Sequence, residues 1–567
     1  MRSLVAATLI ALGALLGAGG AGADPEASPP VPAAPHAHWV LFRDRGACAI
    51  PEVSGPAPTP RALARRERAA RERERLGLPV PSAGAPDLDP CGAYVDAVVA
   101  AGASLRTRSR WLNAVTVEAD SAALERIAAL PFVTGVRPVA AGERAAAAAV
   151  AADAGPSPSE GGGTASYGAA TRQLDMLHVP EAHAMGLHGE GVLIAVLDSG
   201  FDLTHEAFRH LEVRARRDFV NRDDDPSYDP RTDVRGQANH GTHVLSILAG
   251  YAPGRLVGPA FAADFILAKT ERTGSETAVE EDYWVAGIEW AEVMGADIAT
   301  SSLTYSEFYR WREMDGRTAV ATRAANLALE RGLLVFNAVG NQGPREGRLG
   351  APADAPGVIA VGAVDADGRV ARFSTPGPTW DRRVKPDLSA MGVQVAHATA
   401  GTRDRYGRGN GTSYAAPLAA GCAALVLQAH PDWGPEAVRE ALTMSADRAA
   451  FPDNRHGWGL VNVRDAIAYP QIEGRVTDFH TREAATRAAV AWEPAGPVDS
   501  LGAAPGDSPL RGVARVDSTG AYVIPNLPRG IYRLRVSSEG YFDAVSEPIE
   551  VPPGIGDVNF ELRYRGE

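Results

Sequence analysis

An α/β fold built on a doubly wound, mainly parallel sheet is what the middle of this 567-residue chain predicts, with a small α+β unit before it and an antiparallel β-sandwich after it. Three observations carry that expectation. Between Tyr167 and about Tyr469, short apolar runs alternate with amphipathic stretches, as in strands covered on both faces by helices. Upstream, strand and helix patterns alternate within a stretch too short for more than one compact unit. Beyond about residue 470, the chain turns to short alternating strands separated by Gly and Pro.

The length suggests about three or four domains at ~100–200 residues each. The first residues, MRSLVAATLIALGALLGAGGAGAD, give a positive start at Arg2, an apolar run from Leu4 to Leu16 and a small-residue site at Ala21-Gly22-Ala23. This pattern predicts a signal peptide over 1–23 and export of the mature chain. No later run reaches ~20 apolar residues, so no membrane span is expected after signal removal. Secretion is the expectation, with retention at a cell surface or in a periplasm left open.

The leader 24–38 is rich in Pro and Ala. HWVLFRD (38–44) reads as a strand, and RALARRERAARERERLG (61–77) as a helix whose charges face solvent, a partner-binding surface being the other reading. A helix over 89–102, a strand over 111–119, a helix over 121–130 and a strand over 132–139 complete the first unit. The low-complexity stretch 141–166 reads as an exposed linker. The central strands are GVLIAVLD (191–198), ADFILAKT (263–270), GADIATSSL (295–303), GLLVFNAVG (332–340) and PGVIAVGAVD (356–365). The resulting boundaries are 1–23, 24–166, 167–470 and 471–567.

The net charge of −13 argues against nucleic acid as the main partner. Of three cysteines, Cys48 and Cys91 are close enough in sequence to pair in an oxidising compartment, and Cys422 lies in an apolar helix pattern as a small hydrophobe. None has the neighbours a catalytic thiol needs.

Reactive groups in an open α/β sheet collect at the carboxyl ends of strands. Asp198 ends one such run and Asn341 follows another. His240 opens the helix pattern NHGTHVLSILAG, with His243 three residues on. A helical metal pair wants i, i+4 spacing, so His240 reads as a base and His243 as scaffold, while a metallohydrolase on the two histidines is a third reading. Ser413 sits where a Gly-rich turn meets an Ala-rich helix, a place that favours developing negative charge. Nucleophile, base, orienting acid and oxyanion donor are the four parts that acyl transfer requires.

AVLDSG, NHGTHV, AVGNQG and GNGTSYAAP, in that order, resemble the signature blocks of the subtilisin-like serine endopeptidases (subtilases, peptidase family S8). GADIATSSL, APADAPGVIAVGAVD, FSTPGPTWDRRVKPDLSA and GWGLVNV extend the likeness over about 167–470. The resemblance implies a subtilisin-like fold and peptide-bond hydrolysis through an acyl-enzyme. In it Ser413 is nucleophile, His240 the base, Asp198 the orienting acid and Asn341 an oxyanion donor. The first unit resembles the inhibitory, chaperoning propeptide of such enzymes, so the partners implied are polypeptide substrates and the chain's own propeptide. The tail resembles a carboxypeptidase-regulatory-like sandwich. A catalytically silent binding protein on the same fold is the alternative.

Several positions depart from the family pattern. Ser301 to Thr304 match the substrate-binding edge strand, yet Thr304 stands where the family has glycine, which should narrow or reshape the pocket for the P1 residue. Tyr414 and Leu418 replace Met and His in the nucleophile block, Asn239 replaces glycine, and Ala390-Met391-Gly392 replaces Ala-Pro-Gly. No cofactor is implied for the chemistry. Structural calcium is left open, without support at the usual position, where Ala207 follows His205-Glu206; Asp223, Asp224 and Asp225 are the other oxygen-rich candidates.

Overall fold

The computed structural model describes residues 37–46, 56–81, 87–140, 142–144, 167–273, 281–305, 309–470, 472–498, 511–524, 527, 530–551 and 558–566. The expected signal peptide (1–23), the leader up to residue 36 and residues 145–166 lie outside these.

Seven parallel strands form the central sheet, in the order Leu388–Met391, Val358–Val364, Leu334–Ala338, Ile298–Ser301, Leu193–Asp198, Asp264–Lys269 and Val213–Asp218. Five of them are the apolar runs read from the sequence. Strand Leu193–Asp198 is buried at every residue, because helices cover both of its faces and no alternation is possible. The other two strands escaped that reading: Val213–Asp218 is an edge strand that alternates in exposure, and Leu388–Met391 is only four residues long. From Leu193–Asp198 the chain runs to the edge strand Val213–Asp218, returns to Asp264–Lys269, crosses to Ile298–Ser301 and then winds outward through the last three strands. This reversal on either side of Leu193–Asp198 and Ile298–Ser301 is where an open sheet leaves a crevice at its carboxyl ends.

Helices Asn239–Ala249 and Thr412–Ala429 pack in the core on one face of the sheet. Glu281–Met294 and Val320–Glu330 pack on the other. Among the described residues, Thr412–Ala429 is the helix long and apolar enough to cross a membrane; here it is a buried core helix. Cys422 lies within it, free and fully buried, and burial pushes its thiol well up from the ordinary value.

The N-terminal module is a four-stranded antiparallel sheet, ordered Ser104–Ser109, Ala114–Glu118, Ala37–Phe42 and Val133–Pro138. Strand Ser104–Ser109 (SLRTRS) was not expected, since its polar run carries no apolar alternation. Helices Gly92–Ala100 and Ser121–Ala128 close one face over Val40, Val95, Val98, Val117 and Ile127. The other face lies on helix Glu281–Met294, so Trp39 belongs to the core of the large domain. Cys91 is disulfide-bonded; Cys48, its expected partner, lies outside the described residues.

Helix Pro60–Arg75 corrects the solvated reading of its charges. Arg65 is buried and pairs with Glu292, Arg66 with Glu292 and Asp87, and Arg68 with Asp297. Glu72 accepts from the backbone of Glu436 and Ala437 at the start of another helix. Composition alone cannot distinguish a solvated charge from one that meets a buried counter-charge far along the chain.

The tail forms two sheets around Ile472, Val476, Val490, Tyr532, Leu534 and Phe560. One pairing departs from the antiparallel expectation: Ile472–Asp478 runs parallel to Phe560–Leu562.

Candidate active site

Asp198 is the last residue of its strand and fully buried, and it accepts hydrogen bonds on both carboxylate oxygens. His240 Nδ1 lies 2.8 Å from Oδ1 and 3.0 Å from Oδ2, and the Ser199 backbone N–H donates to Oδ1 at 2.7 Å. His240 is in the first turn of helix Asn239–Ala249. The helix can start this near the strand because residue 241 is glycine; a Cβ there would lie 2.2 Å from the Gly200 carbonyl oxygen.

Ser413 is the second residue of helix Thr412–Ala429 and fully buried. Its carbonyl accepts from the Ser302 hydroxyl at 3.2 Å. Tyr414, the next residue, places its ring 6.2 Å from that of His240. The Asn341 carbonyl oxygen accepts from the Thr412 backbone N–H at 2.9 Å and from the Thr412 hydroxyl at 3.0 Å, which turns the amide nitrogen the other way. Gly411 lies between two of the candidate groups: a Cβ on it would stand 2.9 Å from Ser413 Oγ and 3.4 Å from Asn341 Nδ2, and its φ of 154° suits glycine. Ser413 Oγ, Asn341 Nδ2 and His240 Nε2 are buried, and none has a hydrogen-bond partner among the described residues. Buried polar atoms are rarely left in that state. Two of the three, Ser413 Oγ and Asn341 Nδ2, flank one point at Gly411, and the third, on His240, belongs to the ring that is bonded to Asp198.

His243 does not join His240 around a common point. Its Nδ1 shares a hydrogen bond of 3.2 Å with the Tyr414 hydroxyl, and its ring lies tilted against that of His397, with the centroids 3.8 Å apart. Burial holds the His397 imidazole down to about 4, so it is neutral at ordinary pH.

The edge-strand residues lie beside Ser413. Ser301 Oγ accepts from Trp284 Nε1 at 2.9 Å, and the Leu303 carbonyl accepts from Asn337 at 2.8 Å. Thr304 is fully buried, and its methyl lies only 2.4 Å from where a Cβ on Gly350 would stand, so it fills space toward that glycine. Leu303, Thr304 and Tyr305 pair antiparallel with Arg144, Glu143 and Gly142. The stretch read as an exposed linker therefore begins as a strand on this edge. No sequence signal marked it, because Gly-Glu-Arg in a low-complexity run shows no strand pattern without its distant partner. Glu271, buried just past strand Asp264–Lys269, meets the same strand-end criterion as Asp198.

The acids weighed for calcium have partners within the protein. Asp223 and Asp225 accept from backbone N–H groups two residues on, and Asp224 pairs with Arg217 at 2.8 Å. Glu206 binds Arg255 and the Tyr406 hydroxyl. Nearby, Lys269 is fully buried between Asp218 at 2.9 Å and Asp233 at 2.7 Å.

Comparison with known proteins adds a second line of evidence. The profile of the Subtilase family (Peptidase_S8) matches residues 189–459, and that of the Peptidase S8 propeptide domain, Bacteroidota, matches residues 37–151. The chain is 33% identical over 299 residues to subtilisin E of Bacillus subtilis (strain 168), covering 52% of this chain and 70% of that protein. It is 33% identical over 297 residues to subtilisin Savinase of Lederbergia lenta, of which it covers 97%. Among solved structures, fervidolysin from Fervidobacterium pennivorans, a keratinolytic enzyme related to subtilisin, matches in fold with a TM-score of 0.54 at 20% identity, over 94% of this chain and 78% of that one.

Proposed function

The chain belongs to the subtilase family of serine endopeptidases, and from that premise we propose that it is a secreted zymogen whose hydrolysis runs through Ser413, His240, Asp198 and Asn341. The observation that carries this reading is the convergence at Gly411, where the Ser413 hydroxyl and the Asn341 amide nitrogen flank one point.

In the proposed mechanism, Ser413 Oγ attacks the scissile carbonyl while His240 Nε2 takes its proton and later returns it to the leaving amine. Asp198, bonded to Nδ1, fixes the tautomer and stabilises the imidazolium. The Asn341 amide and the Ser413 backbone N–H receive the oxyanion. The family needs no cofactor for this chemistry.

The module over residues 37–144 acts as propeptide, and its last described strand lies on the substrate edge in the manner of a bound peptide. A substrate peptide lying in the same antiparallel register meets Ser302 one residue after the position opposite Leu303, and the Ser302 hydroxyl bonds to the Ser413 carbonyl. Cleavage then falls in the alanine run after Arg144, and the Thr304 side chain favours a small P1 residue such as alanine. One experiment tests these points together. The secreted protein is labelled with a fluorophosphonate and its N-terminus sequenced. The label is expected on Ser413 and the new N-terminus between Ala146 and Val150. A label elsewhere, or none on processed protein, would refute the triad.

Release of the propeptide should depend on pH. Glu289 accepts from the backbone N–H groups of Arg110 at 2.9 Å and Trp111 at 3.4 Å, and burial raises its carboxyl from 4.5 to about 7. A group whose pKa is raised in the complex favours the complex in acid. That contribution is fully present below about 4.5 and lost as pH rises through about 7. Inhibition by propeptide added in trans should weaken roughly tenfold or more between about pH 5 and pH 7.5, and Glu289→Gln should flatten part of that slope. A flat profile in the wild-type pair would contradict this assignment.

A further inference from the structure

The face of the subtilase domain that receives helix Pro60–Arg75 matches the charge pattern of that helix. Three helix ends meet there: the last turns of Glu281–Met294 and Val320–Glu330, and the start of Pro435–Met444. The first two ends present carbonyls, and the Arg65 guanidinium donates to those of Glu292 at 3.0 Å, Arg331 at 3.1 Å and Ala296. The fully buried Glu292 carboxylate takes Arg65 on one oxygen and Arg66 on both, the latter at 2.7 and 2.6 Å. Asp297 takes Arg61, and Arg68 at 2.9 Å. The third end presents N–H groups instead, and Glu72 accepts from those of Glu436 at 3.1 Å and Ala437 at 2.9 Å. Carboxyl ends of helices attract cations and amino ends attract anions. The fit is steric as well. Ala62 and Ala69 are fully buried, and a Cβ on Gly295 or Gly332, just past the first two helices, would stand 2.9 Å from Ala62 N and 3.0 Å from Ala69 Cβ.

These acceptors and donors all lie downstream of the propeptide, so its loss uncovers the groove on the enzyme. Arg61, Arg65, Arg68 and Glu72 stand at i, i+4, i+7 and i+11, one face of a helix. Resting on the protease reading above, we propose that the processed enzyme uses this groove as an exosite that docks arginine-rich amphipathic helices of its protein substrates. The occupant carries arginines at that spacing, small residues where Ala62 and Ala69 stand, and an acid one turn beyond the last arginine. Asp297 and Gly332 lie at the amino ends of strands Ile298–Ser301 and Leu334–Ala338, whereas Asp198 and Asn341 lie at carboxyl ends of the same parallel sheet. Docking therefore takes place at the far end of the sheet from the proposed triad. It acts on KM and leaves the chemical step alone.

The test uses enzyme processed from the full chain and one quenched peptide with alanine at P1, either free or joined by a long Gly/Ser linker to a tail of residues Thr59–Leu76. A third substrate carries the same tail residues in scrambled order. Docking raises the effective concentration of the cleavable segment, so kcat/KM for the joined peptide should exceed that for the free one by roughly tenfold or more, through a lower KM at equal kcat. The scrambled tail should recover little of that gain, which separates the shape of the groove from net charge. Glu292→Gln should remove most of the gain and leave the free peptide unaffected; Glu292 is the residue to change because Asp297 also accepts from the Leu193 N–H at 3.0 Å. Arg65→Ala with Arg66→Ala in the tail should remove it too, with no change in the enzyme. Equal kcat/KM for the joined and free peptides overturns the proposal. So does a gain that the scrambled tail shares, or one that survives either set of substitutions. Each such result leaves the triad reading standing as long as cleavage of the free peptide is lost in Ser413→Ala. Cleavage that persists in Ser413→Ala, or no cleavage of the free peptide, overturns the protease reading and the exosite with it.

Discussion

Ser413→Ala should lower kcat by roughly 10⁶, the scale known for removing the nucleophile of subtilisin itself, and should leave the chain at full length. The argument is chemical before it is structural. Without Oγ no acyl-enzyme forms, and His240 has no proton to take, so what remains is the modest catalysis available from binding and the oxyanion donors. The site is made for that oxygen: Ser413 is fully buried at a helix start, and its Oγ has no hydrogen-bond partner among the described residues. Removing it should therefore leave stability almost untouched. Full-length protein of unchanged Tm with no casein hydrolysis is the expected result. Normal self-processing of purified Ser413→Ala protein would sink the assignment.

The second large effect concerns Asn341. Asn341→Ala should reduce kcat about 10²–10³-fold with little change in KM, because in the proposed mechanism the amide nitrogen meets charge that exists only in the transition state. The variant also loses the acceptor for the Thr412 N–H and hydroxyl, a local anchor of the helix that carries Ser413. A drop in Tm should accompany the kinetic loss, and comparing the two separates the contributions. A rise in KM at constant kcat would mean that Asn341 binds the ground state instead.

The physics of burial explains how much of this was legible in the sequence. Strands such as Leu193–Asp198 announce themselves because two covered faces demand an unbroken apolar run, and the strand-end rule then singles out Asp198. Val213–Asp218 stays hidden because an edge strand of alternating Arg obeys no such demand. The docking of helix Pro60–Arg75 depends on Glu292 and Asp297, more than two hundred residues away, so only the fold reveals its counter-charges. The same holds for Gly142–Arg144, which becomes a strand because Leu303–Tyr305 offers it an edge. For His243, neutral spacing arguments gave a scaffold role, and the Tyr414 hydrogen bond and the tilted His397 ring supply its packing partners.

Lys269 has a consequence of another kind. Its strand partner in register is Asp198, and its ammonium lies sealed between Asp218 and Asp233. Proteins often neutralise such a knot of acids with an ion borrowed from the medium, which dilution or a chelator can take back. Here the counter-ion is tethered to the polypeptide and inherited with it. Asp218 and Asp233 thus receive their counter-charge by translation itself, whatever salts the protein meets.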